Sequence, residues 1–281
     1  MKKSLNIGLS GLLMSLLMML PLLAKAQSEK AVIENYLKEL PGIPVSKNLQ
    51  KYRMTAVYIN RDLYGNFTGK TKISGVYTRG LENGYVSWND VFISASNSFS
   101  ESFPEGAKQE YIENMKYTPT AKMLDSSAFK DFPPNPEAVL SRNLIWDMMA
   151  IEGFAWDYND SLELNKPYFI RGSGGEFSMA DIGTYSHTNI QLLWTGISAF
   201  NNELCAVIEF TATDNRIEME IAGLKTKGTE QYWGTIWISL KTKLIENAVM
   251  YGGTIQEIDV AGMQNKFLAK TIRDLRVDKI K

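Results

Sequence analysis

Hydrophobic and polar residues alternate almost without a break in the second half of the chain, from about residue 186 to residue 277. The clearest stretch is residues 232–240, where Tyr232, Ile236 and Ile238 alternate with Trp233 and Trp237. In a strand, successive side chains point to opposite faces of the sheet. The pattern therefore predicts strands of an antiparallel sheet with one aliphatic face and one mixed face that carries Trp, Thr, Ser and Glu.

The alternation divides this half into a meander of strands joined by short links. The predicted strands cover residues 188–197, 204–213, 216–224, 232–240, 244–256 and 266–277. Asp214 and Asn215 tolerate positive φ and predict a tight hairpin turn, and residues 225–228 predict the next turn. Gly252 and Gly253 interrupt the fifth strand and predict a bulge or a sharp bend.

The first half is less regular and mixes short helices with strands. We predict helices over residues 28–40 and 105–115, and strands over residues 51–60, 70–78 and 84–95, with a turn at 82–84. The proline-rich segment 126–136 cannot continue a helix or a central strand. It is interpreted as a linker, a lid or a loop packed over one sheet.

A long apolar helix follows this segment. Asn135 is placed to cap it, Pro136 suits its first turn and Glu137 complements its dipole. The helix is predicted to run over residues 138–152 and to end at Gly153. Since only a narrow polar strip interrupts its apolar surface, we expect it to pack on the aliphatic face of the meander.

These elements predict an α+β protein, mostly antiparallel β, in which a curved sheet or half-barrel meander carries one or two helices on its concave apolar face. Residues 1–26 have the pattern of a secretory signal peptide, with Lys2 and Lys3, an apolar core, and a small-x-small site at Ala24-Lys25-Ala26. An uncleaved anchor is the alternative, but Pro21 and this site favour cleavage. We expect a secreted or periplasmic protein, cleaved near Ala26.

The predicted mature chain, residues 27–281, is interpreted as a single secreted β-rich domain with sub-blocks 27–135 and 136–281. No transmembrane segment is expected after cleavage. The whole chain has 30 basic and 31 acidic residues without a basic cluster, which argues against a nucleic-acid partner. Cys205 is the sole cysteine, so an intrachain disulfide is excluded. We interpret it as a half-buried strand residue.

Catalytic motifs are absent from the sequence. Ser173, His187 and Asp181 are types found in a hydrolase triad, but Ser173 lacks the Gly-x-Ser-x-Gly setting. His187 is therefore expected to be a surface residue. Residues 172–175 are glycine-rich but lack the lysine of a phosphate-binding loop, and are interpreted as a flexible turn.

Two sets of acidic residues are candidates for chemistry, one as a metal site and one as a catalytic acid–base pair. The spacing of neither set favours that role. Asp157, Asp160 and Glu163 are close in sequence, but their spacing fits no EF-hand loop. Asp147 and Glu152 are five positions apart on the helix and face different ways, so they cannot act as an acid–base pair. Asp147 is expected at the helix rim. We expect no metal, no cofactor and no catalysis.

Aromatic and methionine residues are the remaining candidates, because flat and adaptable side chains suit an apolar binding groove as well as a core. The candidate ligand-binding residues are Trp146, Met149, Trp194, Trp233 and Trp237. A signal peptide, an early helix, a curved sheet and an apolar helix within it resemble the layout of LolA/LolB-type half-barrel carriers. That resemblance implies an acyl ligand between sheet and helix. The overall character of the sequence also resembles that of uncharacterised secreted proteins of Bacteroidota, without a defining motif.

Three functions follow as hypotheses. The first is a non-catalytic binding protein for an apolar or lipid-like ligand, with a hydrophobic small molecule or lipid as its partner. The alternative is a cell-envelope or surface protein–protein interaction module, with an envelope protein on the second sheet face. The third is a hydrolase that uses carboxylates around Asp147 or residues 157–163.

Overall fold

A computed structural model describes residues 30–35, 48–170, 175–221 and 223–280. The signal-peptide prediction, most of the predicted helix 28–40 and the glycine-rich residues 172–174 lie outside these ranges. Within the described residues, 30–35 form a short helix, α1, and Pro136–Trp156 form the long helix α2.

Thirteen strands occur in the described part of the chain, and all belong to one sheet. The long strands are β1 Gln50–Asp62, β2 Phe67–Arg79, β3 Val86–Ser96, β9 Asn189–Phe200, β10 Glu203–Ile221, β11 Leu224–Ser239, β12 Ile245–Val260 and β13 Phe267–Ile280. The short strands are β4 Ala107–Lys108, β5 Met115–Tyr117, β6 Tyr168–Phe169, β7 Glu176–Ser178 and β8 Gly183–Ser186.

The sheet order joins the two halves of the chain. Neighbouring strands run β4-β3-β2-β1-β13-β12-β11-β10-β8-β7, while β5 pairs with β3, and β9 pairs with β10 and β6. The join is the antiparallel pairing of β1 with β13, where Met54 is opposite Val277. The sheet is open over the described residues, and the predicted α+β class with a curved antiparallel sheet and packed helices is confirmed.

The predicted hairpin at Asp214 is wrong, because β10 continues through it. Asp214 does adopt the left-handed conformation, with φ of 59°. The register to β11 shifts between Ala212 and Asn215 and then continues, so the residue forms a bulge. Residues 225–228 consequently lie inside β11, and the chain reverses at Gly223, whose φ is 79°.

The bulge predicted as one alternative at Gly252 and Gly253 and the helix predicted over residues 105–115 are also wrong. Gly252 and Gly253 cause no bulge, since their pairing with Arg273 and Ile272 is continuous. Residues 105–115 do not form an α-helix. The backbone N–H of Gln109 donates to the carbonyl of Val91 at 2.8 Å, because this segment pairs along the edge of β3 instead.

The start of α2 is confirmed and its end is not. The Asn135 side chain accepts a hydrogen bond from the backbone N–H of Ala138 at 2.9 Å. The helix passes Gly153, whose carbonyl accepts from the N–H of Asp157 at 2.9 Å. It continues because Phe154 and the two residues after it are buried, and burial outweighs the low helix propensity of one glycine.

α2 packs on the aliphatic face of the sheet, as predicted. The ring of Phe154 lies 5.1 Å from that of Phe210 on β10, centroid to centroid. The proline-rich segment before α2 is a loop packed into this core, since Phe129 and Phe132 are buried and their rings are 5.1 Å apart. Among the described helices, none has the length and apolar character needed to cross a membrane.

Candidate ligand-binding cavity

A cavity of about 350 Å³ lies between α2 and the inner face of the sheet. The sheet contributes residues of β8 and of β10 to β13, while residues 121–124 and the β7–β8 hairpin complete the wall. Most of the lining is apolar. Its large apolar side chains include Trp146, Met149, Phe177, Met179, Ile217 and Met250.

Helical spacing brings the α2 residues to the cavity. Trp146 and Asp147 come three and four positions after Asn143, and Ala150 comes four and three positions after them, which places the set on one helix face. Trp146 is further oriented by its indole N–H, which donates to the carbonyl of Met123 at 2.8 Å. The helix therefore presents both an apolar and an acidic side chain to the cavity.

Strand register supplies the basic side chain. Arg273 of β13 lies opposite Gly252 of β12, which in turn lies opposite Tyr232 of β11. A Cβ at Gly252 would lie 3.4 Å from Nε of Arg273. Since glycine has no side chain, the guanidinium of Arg273 can lie across this position toward β11 and α2.

Arg273 joins two acidic residues in a buried cluster. Its Nη1 atom donates to both carboxylate oxygens of Asp147, each at 3.0 Å, and its Nη2 atom lies 3.1 Å from Oε1 of Glu230. The Tyr185 hydroxyl donates to Oε2 of Glu230 at 2.6 Å. The three charged side chains are only 10–14% exposed.

Burial dominates the electrostatics of this cluster. It raises the pKa of Asp147 to about 6, an effect that the attraction of Arg273 opposes and the Glu230 carboxylate reinforces. For Arg273, burial lowers the pKa, but Asp147 and Glu230 more than compensate and hold it well above its usual value. The prediction that Asp147 lies at the helix rim is wrong, because the sheet covers it.

His187 also lines the cavity, and its side chain is half-buried rather than fully at the surface as predicted. Its ring lies 4.9 Å from that of Tyr185 and 5.5 Å from that of Phe177. Burial lowers the pKa of His187. Of the other residues considered with it, Ser173 lies outside the described residues, and Asp181 is an exposed turn residue.

Two of the five predicted ligand-binding residues meet at the cavity, namely Trp146 and Met149. Trp194 is 2% exposed and belongs to the core under β9. Trp233 and Trp237 point to the opposite face of the sheet. There, Trp233 is 47% exposed, and its ring centroid lies 6.3 Å from that of Tyr251. The ring centroid of Trp237 lies 5.5 Å from that of Phe200.

Glu152 forms a separate buried ion pair farther along α2. Its Oε1 atom lies 3.6 Å from Nη1 of Arg79 and accepts a hydrogen bond from the Tyr77 hydroxyl at 3.0 Å. The Arg79 guanidinium also lies 3.9 Å from the ring centre of Trp156. Asp147 and Glu152 therefore face different arginines, as their five-residue spacing on α2 predicts.

Sequence reasoning missed Arg273, Glu230 and Tyr185, although a signal exists for the two charged residues. Arg273 alternates in phase with the buried Leu275 and Val277, and Glu230 is in phase with the buried Tyr232. A charged residue in the apolar phase of a strand indicates a buried ion pair or a site, since burying a lone charge is costly. The partner of each charge is not visible in the sequence.

Metal coordination has no support in the described ranges. There, no three His, Cys, Asp or Glu residues are grouped so as to hold a metal ion. Glu163 of the acidic run instead pairs with Lys166 at 2.7 Å. Cys205 is fully buried, and burial raises the pKa of its thiol to about 11, so the thiol is not activated.

Comparisons with known proteins find weak similarity of structure only. No family model and no curated protein matches the chain. A structure of lipovitellin that describes lipid–protein interactions is similar with a TM-score of 0.42 and 11% identity, over 83% of this chain and 25% of that one. The chain thus spans a quarter of that lipovitellin chain.

A DUF1329 family protein from Desulfovibrio piger is similar with a TM-score of 0.16 and 9% identity, over 89% of this chain and 92% of that one. Both similarities are weak, and neither carries an argument about function. The resemblance to LolA/LolB-type carriers therefore stays one of layout, and the cavity residues carry the functional argument.

Proposed function

We propose that the protein is a non-catalytic binding protein for an apolar or lipid-like small molecule, held in the cavity between α2 and the inner face of the sheet. The observation that carries this proposal is the cavity itself, with its apolar walls and one buried polar cluster. A volume of about 350 Å³ lies within the range of roughly 300–1,000 Å³ that is typical of ligand sites.

The chemistry of the wall supports this proposal. Protein interiors contain few voids larger than a water molecule, so an apolar space of this size is well suited to a ligand. Met149, Met179 and Met250 line it with flexible thioether side chains, which adapt to irregular apolar shapes. A few polar groups among apolar walls are the usual means of orienting a bound molecule.

Probe binding by matched tryptophan variants tests the proposal. We expect W146A to weaken binding of the neutral probe N-phenylnaphthylamine by about tenfold, because Trp146 lines the cavity. W233A removes the same side chain from the outer face and should leave the probe's affinity unchanged. Urea unfolding of both variants corrects for any lost folded fraction.

Equal effects of W146A and W233A, or a W146A effect explained by unfolding alone, would refute the proposal. Native mass spectrometry of the purified protein, followed by denaturing extraction, supplies an independent measurement. A co-purifying apolar molecule would support the proposal and name the ligand class. The secreted or periplasmic location is also a proposal, and N-terminal sequencing of the exported protein should find Gln27 as its first residue.

The exposed Trp233 favours a second function, an interaction surface for an envelope protein. Its neighbours on the same face include Tyr251 and the exposed Ile255 and Ile272. A photo-crosslinking residue at position 233 should yield one discrete adduct in cells, and the same residue at the exposed Lys116 should not. Adducts at both positions, or at neither, would argue against this function.

A further inference from the structure

We infer that the cavity selects apolar ligands whose polar end is a cationic or neutral hydrogen-bond donor, an amine or a hydroxyl, over ligands that end in a carboxylate. This inference rests on the proposed function and narrows its ligand class. It is drawn from the charges and hydrogen bonds of Asp147, Glu230 and Arg273.

The charge of the cluster is the first argument. Two carboxylates, of Asp147 and Glu230, face a single guanidinium, that of Arg273. Among the described residues that line the cavity, His187 is the remaining titratable side chain able to carry positive charge, and burial lowers its pKa. With both acids ionised, the cluster has surplus negative charge, which favours a cationic ligand group.

Hydrogen-bonding capacity is the second argument. Each carboxylate has roughly four acceptor positions. Asp147 receives two hydrogen bonds from one nitrogen of Arg273, and Glu230 receives one from Tyr185 beside its ion pair with Arg273. Acceptor positions therefore remain for a ligand N–H or O–H. The Nη1 and Nη2 atoms of Arg273 are engaged by the two carboxylates, while its Nε has no hydrogen-bond partner among the described residues. A ligand acid that reached Nε would still lie beside both carboxylates, so the net charge decides the preference.

A ligand carboxylate would meet the opposite situation. It would have to share Arg273 with Asp147 and Glu230 and would be repelled by both. Because these side chains are 10–14% exposed, water and salt screen that repulsion only weakly. Like charges placed together in such a setting disfavour binding, so the carboxylate should be the weaker ligand.

Three ligands with the same alkyl chain test the inference, namely decylamine, decanol and decanoate, each used to displace N-phenylnaphthylamine at neutral pH. The decisive comparison is between the amine and the carboxylate, since both are ionised in water. We expect decylamine to bind at least about tenfold more tightly than decanoate. Decanol should also displace the probe, because its hydroxyl can donate to either carboxylate.

A charge-neutralising variant locates the selectivity. E230Q removes one carboxylate from the cavity, and the preference for the amine should fall to about threefold or less. E218Q is the matched control, because Glu218 lies on the same sheet but pairs with Lys227 in solvent at 2.8 Å. It changes the total charge equally and should keep the wild-type preference. If E230Q does not fold, the comparison of the three ligands with the wild-type protein still tests the inference.

The outcomes separate the inference from the proposed function. Equal affinities of the wild type for decylamine and decanoate would overturn the inference while leaving an apolar binding protein. Equal effects of E218Q and E230Q would overturn it as well, by assigning the preference to overall charge. Failure of the probe and all three ligands to bind would overturn the proposed function, and the inference with it.

Discussion

Asp147 and Arg273 are 126 residues apart in sequence and form a buried ion pair, in which one guanidinium nitrogen lies 3.0 Å from each carboxylate oxygen. The pair connects α2 to β13 at the candidate cavity, and Glu230 of β11 completes it. The same contact thus ties the helix to the sheet and sets the polarity of the site.

Removing the arginine should destabilise the protein strongly. In R273L, two buried carboxylates lose their counter-charge, and such uncompensated charge typically costs about 3–5 kcal/mol. Urea unfolding near neutral pH measures the change in the free energy of unfolding. R276L is the matched control on the same strand, because the Arg276 side chain is 59% exposed and its ion pair with Asp274 should contribute about 1 kcal/mol or less. A loss in R273L no greater than in R276L would contradict this view of the cluster.

Binding of an amine should depend on the protonation of Asp147. Its pKa is raised to about 6, so the side chain is mostly neutral at pH values below this and ionised above. The groups that face it are Arg273, Glu230, Tyr58 and Tyr232. The surplus negative charge therefore appears as pH rises, and decylamine, which stays cationic throughout, should bind more tightly above pH 6 than below it.

Two variants assign this pH dependence, measured by displacement of the neutral probe. D147N should bind decylamine with little change across the same interval, since its side chain does not titrate. H187Q should keep the wild-type dependence, which separates Asp147 from the histidine in the cavity wall. The assignment to Asp147 is wrong if D147N retains the full dependence and H187Q loses it.

The same raised pKa makes a prediction for stability. Because folding raises the pKa of Asp147, its protonation contributes stability below the unfolded-state pKa, and that contribution is lost as pH rises through about 6. The free energy of unfolding of wild type, measured relative to D147N, should decrease over this interval. A relative stability that increases instead would show that the attraction of Arg273 outweighs burial.

Two glycines of neighbouring strands should respond differently to alanine. A Cβ at Gly234 would overlap the carbonyl oxygen of Val249 and the ring of Phe210, whereas a Cβ at Gly253 has nothing within 4 Å. G234A should therefore lose about 1–3 kcal/mol or more of unfolding free energy, and G253A should change by about 0.5 kcal/mol or less. Chemical denaturation of both variants is the measurement, and equal losses would mean that the close approach at Gly234 is not limiting.

The cap of α2 offers a smaller and separable effect. N135A removes the acceptor for the Ala138 N–H and should cost about 1 kcal/mol. N135D keeps an acceptor oxygen and should retain most of the stability. Thermal unfolding compares the two, and identical melting temperatures would indicate that this cap contributes nothing.

Local features were predictable because they depend on near neighbours in sequence. The period of two identified β1 to β3 and the meander, and the Asn135-Pro136-Glu137 sequence identified the start of α2. Both signals arise from side-chain direction and backbone hydrogen bonding within a few residues. The class of fold and the packing of α2 on the aliphatic face followed from the sequence alone.

Contacts between distant residues decided the rest. Asp214 forms a bulge because β11 pairs with both flanks of it, and α2 passes Gly153 because the residues beyond it are buried. The cavity gathers Asp147, Glu230 and Arg273 through the register of strands that are far apart in sequence. That register depends on the packing of the whole sheet, so only the tertiary structure determines the partner of each buried charge. It also decides that Trp146 lines the cavity while Trp233 lies on the opposite face.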